Sequence, residues 1–184
     1  MPGEPALFVI SGTQGAGKST VARLLAGSLE RAAWVSADAL QTMIVSGGRW
    51  PEQREMSPEA ALQLRLRLRN ACLLARSFVA AGFSAVVDDI VVGERVEHLL
   101  DELAGERFVF VMLTPRPEVV RERERGRGTR LFADWEWLSE EIEQRTRRIG
   151  LWIDSSEQTP DETVAQIRRR AWSEGLVEAP ASPG

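Results

Sequence analysis

One lysine occurs in this chain, and it stands in Gly12-Thr13-Gln14-Gly15-Ala16-Gly17-Lys18-Ser19. Of 23 Lys+Arg positions, every other one is arginine. A slim, mobile ammonium is thus kept where one could reach the β- and γ-phosphates of a nucleotide. The segment fits the phosphate-loop pattern G-x-x-x-x-G-K-[ST] at every position. Backbone N–H groups from Gly12 to Thr20 are expected to cradle phosphate oxygens, with the positive end of a following helix beneath them. The Ser19 hydroxyl is expected to face Mg²⁺.

Three further sets of residues could complete such chemistry. Asp88-Asp89 ends an apolar stretch, the form needed to hold Mg²⁺ directly or through water. The sequence does not say which of the two serves the cation and which faces a neighbouring element. Asp38 could accept a proton from a substrate hydroxyl; alternatively Ser36 or Asp38 caps a helix over 39–45. Asp154 reads as a turn former before Ser155-Ser156. Arg121-Glu122-Arg123-Glu124-Arg125-Gly126-Arg127-Gly128-Thr129-Arg130 admits two readings: a solvated helix laced with ion pairs, or a lid over about 121–133 that brings cations to a transferred phosphoryl group. In the lid reading Arg125 and Arg127 are catalytic, Arg121 contacts the nucleotide, and Gly126 and Gly128 allow flexing.

These groups need a scaffold. Five strand-like segments, 6–11, 33–36, 84–88, 107–113 and 150–153, alternate with helical ones, which predicts an α/β fold with a parallel sheet covered on both faces. The apolar run Ala6-Leu7-Phe8-Val9-Ile10 supplies the strand before the phosphate loop, and Val21, Leu24, Leu25 and Leu29 recur at helical spacing after it. Ser57-Pro58, Thr114-Pro115 and Thr159-Pro160-Asp161-Glu162 read as helix starts. Leu62 to Arg69 alternates with period two, a strand signal, yet the Ser57-Pro58 start and the Ala/Leu-rich continuation to Ala81 predict a helix that Gly82 ends. Residues 1–176 are expected to form one domain, with a disordered tail over 177–184.

Composition excludes several classes. The net charge of −4 disfavours general attraction to nucleic acid or an anionic membrane. Cys72 and His98 are the only cysteine and histidine, which argues against disulfides, a His-based triad or a His-rich zinc site. His98 is expected on the surface. No run of 18 apolar residues and no signal peptide is evident, so a cytoplasmic location is expected. The guanine-reading Asn-Lys-x-Asp motif is impossible, because Asn70 is the only asparagine and Lys18 is already used.

Taken together, Gly12 to Thr20, Asp38, Val86-Val87-Asp88-Asp89-Ile90, the arginines of 121–130, and Gly150-Leu151-Trp152-Ile153-Asp154-Ser155-Ser156 with Thr159-Pro160 resemble the small P-loop kinases of the nucleoside and nucleotide kinase type. The nearest branch is the chloramphenicol phosphotransferase-like family, and the resemblance runs from residue 6 to about 170. It implies a five-stranded parallel sheet of order 2-3-1-4-5. It also implies transfer of the ATP γ-phosphoryl group to a hydroxyl of a small molecule, such as an antibiotic, nucleoside or sugar-like compound. Asp38 would then be the base and Lys18 the phosphate-stabilising cation; the 154–157 loop would approach adenine. Residues 40–80 would form the acceptor pocket, where Trp50 could stack on a planar acceptor or pack its own loop down. Two other readings remain at this level: a slowly hydrolysing NTP-binding switch, and a polynucleotide 5′-hydroxyl kinase using Arg65, Arg67, Arg69 and Arg76.

Overall fold

In the computed structural model, residues 4–50, 56–127 and 137–181 are described. The first strand, β1 (Leu7–Gly12), is buried along its whole length, as an apolar run at the centre of a parallel sheet must be. The chain then alternates: α1 (Lys18–Gly27), β2 (Ala32–Ser36), α2 (Ala37–Thr42), α3 (Pro58–Ala80), β3 (Ser84–Asp88), α4 (Arg95–Glu102), β4 (Arg107–Leu113), α5 (Pro117–Arg127), α6 (Trp137–Arg145), β5 (Leu151–Ile153) and α7 (Pro160–Arg170). The parallel strands follow the order β2-β3-β1-β4-β5, the order expected.

Two cores lie on opposite faces, divided by the period-two alternation of the strands. Val9, Val35, Val87, Phe110 and Met112 pack toward α3 and α4. Phe8, Ile10, Val86, Val111 and Leu113 pack toward α1 and α7. Burial of side chains this size contributes about 1.5–3 kcal/mol each relative to exposure, so strand parity is strongly enforced.

The ambiguous stretch at 62–69 is helical. Ser57 accepts from the Ala60 N–H at 3.2 Å, and Pro58 occupies the first turn. At the other end Gly82 takes φ +83°. The Phe83 N–H bonds back to Phe78 O at 3.0 Å and the Gly82 N–H to Val79 O at 3.0 Å, while the two phenyl rings meet edge-on at 6.4 Å. This is the paired hydrogen-bond stop that a left-handed glycine permits. The Thr159 capping box also forms.

Four expectations are corrected. Thr114-Pro115 does not start α5; the helix begins at Pro117, and the Thr114 hydroxyl donates to Ile153 O at 3.2 Å instead. The helix expected over 39–45 spans Ala37–Thr42, and neither Ser36 nor Asp38 caps it through a side chain. His98 is only 24 % exposed and sits 3.7 Å from Glu94. The tail is ordered past Val177: β6 (Leu176–Glu178) runs antiparallel to Arg107–Val109, and Ala179 is buried. Short β5 covers only the far half of β4, so the near half offers unpaired backbone groups that β6 satisfies. Of the expected lid, Gly128 to Ala133 lie outside the described residues, as do the Arg127 side chain and 182–184.

Candidate active site

At the carboxyl ends of β1 and β3, where ligands of open α/β sheets bind, a cavity of about 200 Å³ opens. The loop after β1 forms one wall, with Gln14, Gly15, Gly17, Lys18, Ser19 and Thr20; Asp38 of α2, Asp88 at the end of β3 and Asp89 just after it also line the cavity. Gly15 takes φ +76°, and a Cβ there would lie 2.7 Å from Val120 Cγ1 of α5. Glycine is therefore required twice over, by backbone conformation and by the close approach of α5. Helix α1 starts at Lys18 with its N-terminal end aimed into the loop.

The Lys18 Nζ donates to Thr13 O at 2.9 Å. Burial pushes its ammonium below the ordinary lysine range, with Asp88, Asp38 and Asp89 pulling the other way. Next to it, Ser19 Oγ donates to Asp88 Oδ2 at 2.6 Å. The other oxygen of Asp88, Oδ1, accepts from the Trp34 indole Nε1 at 2.6 Å. Burial raises the Asp88 carboxyl, and the Ser19 and Trp34 hydrogen bonds oppose that rise.

Asp89 turns to the opposite face, as the pleat demands. Its Oδ1 accepts from Arg67 Nη2 at 2.5 Å and the Ile90 N–H at 2.7 Å; its Oδ2 accepts from Arg95 Nη2 at 2.7 Å. Arg95 Nη1 also donates to Ile90 O. Burial alone would raise Asp89, but Arg95 and Arg67 overcome it and hold the carboxyl below its usual range. Ser11 fixes the segment that follows: its Oγ donates to Val91 O and accepts from the Val91 N–H, both at 2.9 Å.

Asp38 sits in the first turn of α2 with its side chain 64 % exposed, reaching Arg67 Nη1 at 3.3 Å. Arg67 thus bridges Asp38 and Asp89. A turn before it on α3, Gln63 Nε2 donates to Gly47 O at 2.9 Å, and its Oε1 accepts from the Arg49 N–H at 2.7 Å. Gln41 Nε2 adds a bond to Arg49 O at 3.1 Å. Two buried amides therefore hold the loop after α2 against α3, leaving Trp50 48 % exposed.

Helix α5 packs on the phosphate loop, and among its described side chains Glu124 lines the cavity. Arg121 and Arg125 are exposed, and Arg125 Nε donates to Arg121 O at 3.3 Å. Arg123 points elsewhere: its Nη2 donates to Ser155 O at 2.8 Å, tying α5 to the loop after β5. Asp154 forms the expected turn, its Oδ1 accepting from the Ser156 N–H at 2.9 Å and from the Ser156 hydroxyl. Cys72 is buried, its thiol pushed up to about 12 by burial, which leaves it unreactive at neutral pH.

Trp34, Gln41, Gln63, Arg67, Arg95 and Glu124 were not singled out for these roles from the sequence. A signal existed for Arg67, which falls on the buried stripe of Ala60, Leu64, Leu68 and Ala71. Of the α3 arginines that a polynucleotide kinase would use, Arg67 is committed to Asp38 and Asp89, and Arg76 lies 3.5 Å from Glu106. No described helix is long and apolar enough to cross a membrane.

The family model of chloramphenicol phosphotransferase-like protein matches residues 6–172. No curated protein matches the sequence. Among solved structures, a gluconokinase from Sinorhizobium meliloti 1021 is 20 % identical, covers 91 % of this chain and 94 % of its own, and superposes with a TM-score of 0.63. The tunicamycin resistance protein of Deinococcus radiodurans is 16 % identical over 98 % of this chain and 100 % of its own, with a TM-score of 0.63. Shikimate kinase from Aquifex aeolicus is 18 % identical over 89 % and 94 %, with a TM-score of 0.55. At these identities the structures share the fold, that of P-loop kinases, while the family match spans nearly the whole sequence. The chain belongs to the chloramphenicol phosphotransferase-like family, and so to the P-loop phosphotransferases.

Proposed function

We propose that this protein transfers the γ-phosphoryl group of ATP to a hydroxyl of a small molecule. One observation carries the reading: the phosphate loop, Lys18, the Ser19–Asp88 pair and Asp38 all line a single cavity. The loop amides and Lys18 would hold the β- and γ-phosphates. Asp38, across the cavity and open to solvent, would take the proton of the acceptor hydroxyl as its oxygen bonds to the γ-phosphorus. The bond to the bridging oxygen of ADP breaks in the same step, and ADP leaves.

The Ser19 hydroxyl and Asp88 carboxylate are oxygen donors beside the phosphate cradle, a set that fits Mg²⁺, which binds through one or two carboxylates plus substrate phosphates. Among the described residues no cluster of three or more His, Cys, Asp or Glu could hold a metal ion. When bound, Mg²⁺ would neutralise charge on the phosphate oxygens. Arg121, Arg125 and Arg127 belong to the helix that walls the cavity, and would close over the transferred group while excluding water. Trp50 and the loop pinned by Gln63 would border the acceptor.

The test is ADP release in the presence of antibiotics, nucleosides, sugars and 5′-hydroxyl oligonucleotides. Stimulation by one small-molecule class supports the reading. Stimulation by oligonucleotides alone, or hydrolysis that no acceptor changes, contradicts it. Asp38→Ala is expected to lower turnover by about 10²–10⁴ with ATP affinity unchanged, the range for losing a general base. Lys18→Ala is expected to remove turnover.

A further inference from the structure

Asp88 has a second donor that the reaction just described does not use. Trp34 lies on edge strand β2 opposite Val86, with Ser36 opposite Asp88. Val35 packs toward α3, so the pleat turns Trp34 to the α1 face, the face of Val86 and Asp88. From there the indole reaches along the sheet surface to Asp88 Oδ1 at 2.6 Å, while Ser19 holds Oδ2 at 2.6 Å. One donor on each oxygen fixes the plane of the carboxylate. The ring is 41 % exposed, with the Arg23 guanidinium 5.9 Å from its centroid.

The chemistry of the donor matters. An indole N–H donates and never accepts, and it carries no charge. It can aim a carboxylate without neutralising it. The guanidiniums on Asp89 do the reverse, since they compensate the charge they orient.

We propose that Trp34 is a positioning residue for Asp88: its N–H keeps Oδ2 presented to Ser19 and the phosphate loop, where a nucleotide-bound divalent cation would be held. This rests on the assignment of Asp88 to that cation. Nucleotide binding without Mg²⁺ should then be independent of Trp34, whereas the gain in affinity that Mg²⁺ brings should depend on it.

The experiment is calorimetric titration of the full chain with ADP, with and without Mg²⁺. It compares the natural protein with Trp34→Phe, Asp88→Asn, and a semisynthetic chain carrying benzothiophene for indole at position 34. That last replacement keeps the ring size and removes the N–H, and it decides the matter if Trp34→Phe does not fold. The Mg²⁺-dependent gain is expected to fall about tenfold in both Trp34 variants, the lower end for removing a group that orients a metal ligand. Affinity for metal-free ADP should not change. If Asp88→Asn keeps the full Mg²⁺ effect, the assignment of Asp88 fails and this inference with it. If Asp88→Asn loses the effect while both Trp34 variants keep it, the assignment stands and the role of Trp34 is overturned. An effect lost in Trp34→Phe but kept with benzothiophene would trace to ring packing, and would also overturn it.

Discussion

Asp88 and Asp89 are neighbours in sequence and are each 3 % exposed, yet the molecule treats them oppositely. Asp88 faces α1 and receives two uncharged donors, Ser19 and Trp34. Asp89 faces α3 and α4 and receives two guanidiniums, Arg67 and Arg95. Burial consequently raises the Asp88 carboxyl, whereas the arginines hold Asp89 down. The pleat makes this division possible, because consecutive residues of a strand point to opposite faces. One dipeptide thus supplies a charge left available at the phosphate site and a charge committed to joining three elements.

The sharpest way to break the contrast is Asp89→Asn. Removing one partner from a buried ion cluster leaves uncompensated charge, so folding stability should fall by about 3–5 kcal/mol, read by denaturant unfolding. A loss under about 1 kcal/mol, the size of an exposed ion pair, would mean that Asp89 does not carry the joint. Asp88→Asn should behave in the reverse manner. It removes a carboxylate that burial penalises, so stability should hold or rise, while turnover with ATP falls by about 10²–10³, typical of losing one preorganised electrostatic contact. Equal destabilisation by the two variants would erase the distinction. The smallest effect concerns only the α3 side. Gln63→Leu leaves Gly47 O and the Arg49 N–H without their amide partner, and should cost about 1–3 kcal/mol locally. Faster tryptic cleavage at Arg49 with unchanged ATP affinity is the expected result; unchanged cleavage would show that the amide does not hold the loop.

The phosphate-loop part of the α1 side is legible from sequence, because its strand, loop and helix are adjacent along the chain. Strand, loop and helix occupy residues 7 to 27, and a single pattern fixes all three. The strand positions could likewise be read from apolar runs, and α3 from its Ser57-Pro58 start despite a period-two interior. The α3 side is less legible, since the bonds of Arg67 to Asp38 and Asp89 join residues 29 and 22 positions apart through side-chain geometry that no local signal encodes. Trp34 illustrates the same limit. Its parity on β2 could be counted, but its register against β3 depends on tertiary pairing. Thr114-Pro115 misled for a related reason: a cap-like dipeptide was taken up by Ile153 of the neighbouring strand. The fate of Val177 depended on an edge left open by a strand of three residues, a property of the sheet and not of the tail.

Calorimetry of Mg²⁺·ATP binding to the natural protein and to Lys18→Ala addresses the central claim most directly. A saturable heat of binding for the natural protein, abolished or greatly weakened in a Lys18→Ala variant that unfolds at the same denaturant concentration, is the predicted result. Folded natural protein that gives no heat with any magnesium-bound purine triphosphate would contradict the account.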